Sequence, residues 1–112
     1  MEYIMHYARL AESAKVEAFC IGLELKHAVK ERAAFWDGLI AQVRKVYSGK
    51  ITYAANWDNF HNIPFWIKLD FIGINAYFPL SQENQPTSSE LYDAWEEQKI
   101  ALRRLSEMYK RE

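Results

Sequence analysis

The 112-residue chain sets 14 Lys and Arg against 15 Asp and Glu, a net charge of −1, which excludes the electrostatic footprint of a nucleic-acid binder or a basic membrane-surface protein. Half of its residues are hydrophobic and 15% are aromatic, which excludes a disordered chain and fits one domain with one packed core over residues 1–112. No apolar run nears the roughly 20 residues that cross a bilayer, and Met1–His6 has no basic region before an apolar one, so no signal peptide is expected and the compartment stays undetermined.

In chain order, Tyr3 to Ala14 reads as a helix with Ile4, Tyr7, Ala8 and Ala11 on one stripe. Val16 to Leu23 reads as a strand buried on both faces, ending in Glu24. The single cysteine, Cys20, has no intrachain disulfide partner and reads there as an inert buried thiol. Lys26 to Lys30 is a polar connection. Glu31 to Tyr47 is the clearest helix, with Phe35, Trp36, Leu39, Ile40, Val43, Val46 and Tyr47 on its apolar face and Gly49 as a stop signal.

Ile51 to Asn56 is the second strand, and Trp57 to Lys68 a loop with one short helical turn. Leu69 to Phe78 is the third strand, stopped by Pro79. After a polar loop, Thr87 and Glu90 have capping-box spacing and open a helix to about Lys110. Leu91, Trp95, Leu102, Leu105 and Tyr109 form its buried stripe, and Arg103, Arg104, Lys110 and Arg111 its solvated face. Alternation of helices and strands implies parallel strands with right-handed crossovers, an α/β fold.

Side chains alternate across a strand, so residues can be sorted by parity. Ala18, Cys20, Gly22 and Glu24 share one face, as do Thr52, Ala54 and Asn56, and Phe71, Gly73, Asn75 and Tyr77. The opposite faces, with Phe19, Ile21 and Leu23 among them, are branched and apolar. Small residues turning polar at the C-terminal end suit the inside of a (β/α)8 barrel, where the top layer forms the active site.

Phe19–Leu25, Ile51–Trp57 and Leu69–Leu80, taken together in this order, resemble the mannanase-like barrels of glycoside hydrolase family 113, TIM-barrel retaining glycosidases. The resemblance covers nearly the whole chain. It implies a partial (β/α)8 TIM barrel in which three parallel strands alternating with helices correspond to the fourth, fifth and sixth of eight. It assigns Glu24 the general acid/base role and places Asn56, Trp57, Asn75 and Tyr77 along the sugar subsite. Leu23 departs from the small or polar residue usual before that glutamate. No residue matches the second glutamate, the nucleophile, which the family carries on its seventh strand; it is expected beyond Glu112, and the chain by itself is expected to be inactive.

Retaining glycoside cleavage uses two carboxyl groups about 5 Å apart, one protonated and one ionised. Taken without the resemblance, Glu24 reads first as a surface glutamate at a strand end and only second as a catalytic group. Asn56 and Asn75 suit sugar hydroxyls or loop backbone, and Trp57 and Trp66 suit sugar stacking or packing, with Trp66 assigned to packing. Tyr77 suits a hydrogen bond at the barrel mouth or simple packing. Trp36 and Trp95 are assigned to the core. Asp58 is a spare acid, and Asp70 lies at the base of its strand, where residues serve stability.

His6, His27 and His61 lack metal-ligand spacing, and no phosphate-binding or dinucleotide motif occurs, so neither metal nor cofactor is expected. The expected partners are an oligo- or polysaccharide and the remainder of the barrel, with no nucleic acid and no membrane. The other function that fits is a non-catalytic carbohydrate-binding barrel or a structural module of the phage-tail kind. Three strands alone leave open edges, which favours association.

Overall fold

A computed structural model describes all 112 residues. Helix α1 (Glu2–Ser13) leads into strand β1 (Ala18–Leu23), then α2 (Lys26–Glu31), α3 (Ala33–Val46) and β2 (Lys50–Asn56). Two single 3₁₀ turns, Phe60–Asn62 and Trp66–Lys68, precede β3 (Gly73–Asn75) and the 22-residue α4 (Ser88–Tyr109). The three strands form one parallel sheet in the order β1-β2-β3.

The sheet has two unlike faces. On β2, Ile51, Tyr53 and Ala55 are buried, while Thr52, Ala54 and Asn56 are only half-buried. Those buried residues join Ile21, Trp36, Leu39, Ile40 and Val43 in one apolar cluster that α1 completes with Met5, Ala8 and Ala11. The other face, with Ala18 and Cys20, carries no helix and is open. Cys20 is therefore exposed, contrary to the buried thiol read from the sequence. Its strand is apolar on both sides, but only one side meets protein.

Simple alternation also fails within β1. Cys20 pairs with Thr52, yet Leu23 pairs with Ala54, so β1 spends three steps where β2 spends two. This is a bulge, and the extra residue reverses the parity beyond it. Leu23 shares the open face with Ala54 and is exposed, rather than pointing at the helices. A Cβ on Gly22 would stand 2.8 Å from Trp36 Cη2 and 3.0 Å from Tyr53 Cε2, so position 22 faces the helix layer. The bulge aims a missing side chain at two buried rings, which is why this position is a glycine. Gly22→Ala is expected to cost about 1–3 kcal/mol through overpacking. Gly38→Ala, in the interior of α3 with nothing within 4 Å of the added Cβ, is expected to stabilise by about 0.5–1 kcal/mol. Urea unfolding of the two variants should therefore move the midpoint in opposite directions.

Strand β3 is shorter than its sequence. Leu69 to Phe78 is apolar throughout, but only Gly73–Asn75 pairs in the ladder. Before it, other partners take over: the Thr52 hydroxyl donates to the Phe71 carbonyl, and the Ile72 N–H donates to the Glu112 backbone oxygen. Asp70 holds the lower end. Its carboxylate accepts from the Ile51 N–H at 2.8 Å and from Arg44 at 2.7 Å, while its own N–H returns to the Ile51 carbonyl. Burial alone would raise the Asp70 carboxyl, but the Ile51 N–H and the Arg44 guanidinium outweigh it and hold the group below the ordinary 3.8. The unfolded chain thus takes up this proton at higher pH than the folded one. The contribution is present above about pH 4 and fades as pH falls through the lowered value. Asp70→Asn is expected to flatten that acid limb in a plot of unfolding midpoint against pH.

Other sequence expectations are adjusted by packing. Lys26–Glu31 is a helix, not a connection; six residues with only Val29 buried are too few to show a period. In α1 the buried positions are Met5, Ala8 and Ala11, and Tyr7 is exposed. Gly49 is not a left-handed cap, since α3 closes on an extended Tyr47 whose ring occupies the space beside Gly49. The capping box of α4 forms as expected: Thr87 Oγ1 accepts from the Glu90 N–H, and the Glu90 carboxylate accepts from the Thr87 N–H. That helix buries only Leu105 fully, and Trp95 remains 37% exposed. Arg111 leaves the solvated face and donates to the Leu69 and Ile67 carbonyls, tying the tail beneath β3. No helix is long and apolar enough to cross a membrane.

Candidate functional site at the C-terminal ends of the strands

The C-terminal ends of three parallel strands bring side chains from distant sequence to one rim. Glu24 follows β1, Asn56 ends β2 and Asn75 ends β3. Asn56 and Asn75 are direct partners across the ladder and so share a face. Glu24 joins that face by an unexpected route. The bulge alone would turn it away, but its backbone adopts a left-handed φ of 51°, which brings the carboxylate back. Asn75 Nδ2 then donates to Glu24 Oε1 at 2.8 Å, across 51 residues of sequence.

A second set of contacts lies beside this pair. Asp58 accepts from Asn56 Nδ2 at 2.8 Å and from Lys26 Nζ at 3.1 Å. Asp58 thus orients Asn56 and ties the rim of β2 to α2. Below, a polar hollow of about 600 Å³ is lined by Lys26, His27, Lys30, Asn59 and Asn62. A different hollow of about 540 Å³, along the free edge of β1, is lined almost entirely by apolar side chains such as Phe19, Ile21 and Leu23. It has no carboxylate on its wall, whereas the polar rim carries Glu24 and Asp58.

The aromatic residues separate clearly. Trp66 is fully buried and its Nε1 donates to the Phe60 carbonyl, so it packs and does not face a sugar. Trp57 is half-buried, edge-on to Phe78 at 6.4 Å between ring centres. Tyr77 is 79% exposed, just past β3, where its N–H turns back to the Asn75 carbonyl. The structure brings Glu24 and Asn75 into contact, joins Asn56 to Asp58, and leaves Trp57 and Tyr77 on the rim without a hydrogen bond to that group. No group of three or more His, Cys, Asp or Glu side chains is placed to hold a metal ion.

One contributor escaped the sequence reading. Tyr53 points into the helix layer, yet its hydroxyl accepts from the Leu25 N–H at 2.8 Å, directly after Glu24. Burial pushes its phenol up, with the Cys20 and Glu24 charges adding to the effect and the Leu25 N–H opposing it. Strand parity assigns Tyr53 to packing, and nothing in a linear sequence shows that its length reaches the next turn.

The family model for Glycoside Hydrolase Family 113 matches residues 1–112. Among solved structures, the chain is similar to the family 113 β-mannanase AaManA from Alicyclobacillus acidocaldarius in complex with ManMIm, with a TM-score of 0.82 at 30% identity. It is also similar to two structures of a family 113 β-1,4-mannanase, one a complex, with TM-scores of 0.81 and 0.80 at 31% identity. The matches cover 96–98% of this chain but 31% of each of those chains, so it spans about a third of their length. No match is found among curated proteins. By the match of the family model over its whole length and the likeness of its parallel strands and helices to those solved barrels, the chain belongs to glycoside hydrolase family 113 and forms part of a (β/α)8 fold.

Proposed function

We propose that residues 1–112 are one unit of a retaining, β-mannanase-like glycoside hydrolase, the unit that supplies the general acid/base, Glu24. The observation that carries this reading is the Glu24–Asn75 contact at the ends of β1 and β3. A carboxyl group fixed at the C-terminal rim of a barrel is poised to meet a glycosidic oxygen. In the first step Glu24 protonates that oxygen while a second carboxylate, from the remainder of the barrel, attacks the anomeric carbon. In the second step Glu24 removes a proton from the water that releases the sugar. Asn75 orients the Glu24 carboxyl group. Asn56, set by Asp58, and Tyr77 offer hydrogen bonds to sugar hydroxyls, and Trp57 offers an apolar face. The partners are a mannan-like oligo- or polysaccharide and the rest of the barrel, which brings the nucleophile.

The test is a chimera in which these 112 residues replace the matching stretch of the Alicyclobacillus acidocaldarius β-mannanase. The chimera is expected to release reducing sugar from β-mannan, whereas the isolated 112-residue chain is expected to release none. A chimera that unfolds cooperatively and binds manno-oligosaccharide, yet does not cleave it, would overturn the catalytic reading in favour of recognition alone.

A further inference from the structure

The turn that carries Glu24 is held by three successive backbone N–H groups. Glu24 N–H donates to the Ala54 carbonyl at 2.9 Å, Leu25 N–H to the Tyr53 hydroxyl at 2.8 Å, and Lys26 N–H to the Glu24 carbonyl at 2.9 Å. Two of these anchors lie on β2, and only one is a side chain. Glu24 itself sits at φ 51°, a region a non-glycine residue keeps only where its surroundings hold it. We propose that Tyr53 is a positioning residue for Glu24: its hydroxyl fixes the Leu25 N–H and thereby sets the left-handed turn that presents the carboxylate to Asn75.

The geometry suits a lever. The Tyr53 ring is completely buried, edge-on to Trp36 and to Phe65, each at 5.4 Å between ring centres, and tilted against Trp66 at 6.2 Å. A side chain with two rotatable angles, wedged among three rings, holds its terminal oxygen at a fixed height above the helix layer. Gly22 lies directly against that ring, and the bulge at Gly22 fixes where the turn begins. Tyr53 thus works from the opposite face of the sheet to the carboxylate it aims. Its catalytic consequence rests on the acid/base reading of Glu24, but the positioning itself does not.

Tyr53→Phe removes one oxygen and keeps the ring. In the 112-residue chain, the Leu25 amide is expected to exchange with solvent at least about tenfold faster. The Asn75 side-chain NH₂ resonances are expected to collapse toward those of a free amide. In the chimera, kcat is expected to fall between about 10- and 100-fold, with KM within about twofold, as displacement of a reacting group by a fraction of its reach would cause. Ile51→Val, a change in the same buried layer away from the rim, serves as the comparison: it should lower the unfolding temperature without touching kcat or the Asn75 resonances. Unchanged Asn75 and Leu25 signals in Tyr53→Phe, or a kcat loss matched by Ile51→Val, would overturn the proposal. Should Glu24→Gln retain full activity, the acid/base reading falls, and the NMR result still decides whether Tyr53 positions the turn.

Discussion

Glu24→Gln in the chimera is expected to lower kcat on β-mannan by about 10²- to 10⁴-fold, the range that positioned proton transfer contributes, equivalent to roughly 3–5 kcal/mol of transition-state stabilisation. The substitution is nearly isosteric. The side chain is exposed, and the Gln carbonyl oxygen still accepts from Asn75 Nδ2, so the fold loses little. The unfolding temperature should accordingly stay within about two degrees. The leaving group gives the sharper readout. An aryl mannoside whose phenol is strongly acidic departs without a proton, so its first step should be nearly unaffected. A natural glycosidic oxygen departs poorly as an alkoxide and should show the full loss. Equal losses on both substrates would remove Glu24 from the acid role and leave it as a binding group only.

Trp36→Ala is expected to destabilise the chain by about 3–5 kcal/mol, the usual range for deleting a buried large aromatic side chain. Trp36 is 1% exposed. It stacks on Phe65 at 5.3 Å and 24°, meets Tyr53 edge-on, and donates its Nε1 hydrogen to the Ala28 carbonyl at 3.1 Å. Removing it opens a cavity under Gly22, frees Tyr53 on one side and deletes the hydrogen bond that ties Ala28 of α2 to α3, although the Ala28 carbonyl keeps the Arg32 N–H. Because single domains are stable by only about 5–15 kcal/mol, this one change removes a large share. Trp36→Phe, which keeps a ring but drops the hydrogen bond and part of the volume, should cost visibly less. Urea midpoints for the two variants would measure the difference, and a Trp36→Ala loss below 1 kcal/mol would contradict the packing described.

Much of this was legible in the sequence, and the gaps have physical causes. Long periodic stretches speak for themselves: the faces of α3 and the capping box of Thr87 and Glu90 follow from local chemistry. Parity on β2 is obeyed because β2 is the central strand, paired on both sides. On β1 and β3, at the edges, local hydrogen bonding competes with the ladder, and there strict alternation fails. The bulge at Gly22 leaves no mark in composition, so parity puts Leu23 on the wrong face, and Glu24 meets Asn75 only through the left-handed turn that parity does not show. Cys20 is exposed although its strand is apolar, because an apolar strand does not say which of its faces is covered. The carboxylate and the two asparagines could be named from their place after strands. Tyr53 could not, because its role depends on a distance across the sheet.

The order of the sheet carries a consequence for how the chain folds as it is made. Strands stand side by side in the order in which they are synthesised, with Ala54 meeting Gly73 and Cys20 meeting Thr52. Within residues 1–112 each strand pairs with its neighbour in sequence, and the outer edges of β1 and β3 stay unpaired. Loop-closure entropy rises logarithmically with separation, so pairing between sequence neighbours costs less than pairing across the whole stretch. The turn bearing Glu24 is therefore expected to gain its anchors when β1 and β2 pair, because Tyr53 and Ala54 both belong to β2, whereas Phe65 and Trp66 join the aromatic layer afterwards. The Glu24–Asn75 contact is expected to follow later, since it needs β3 as well.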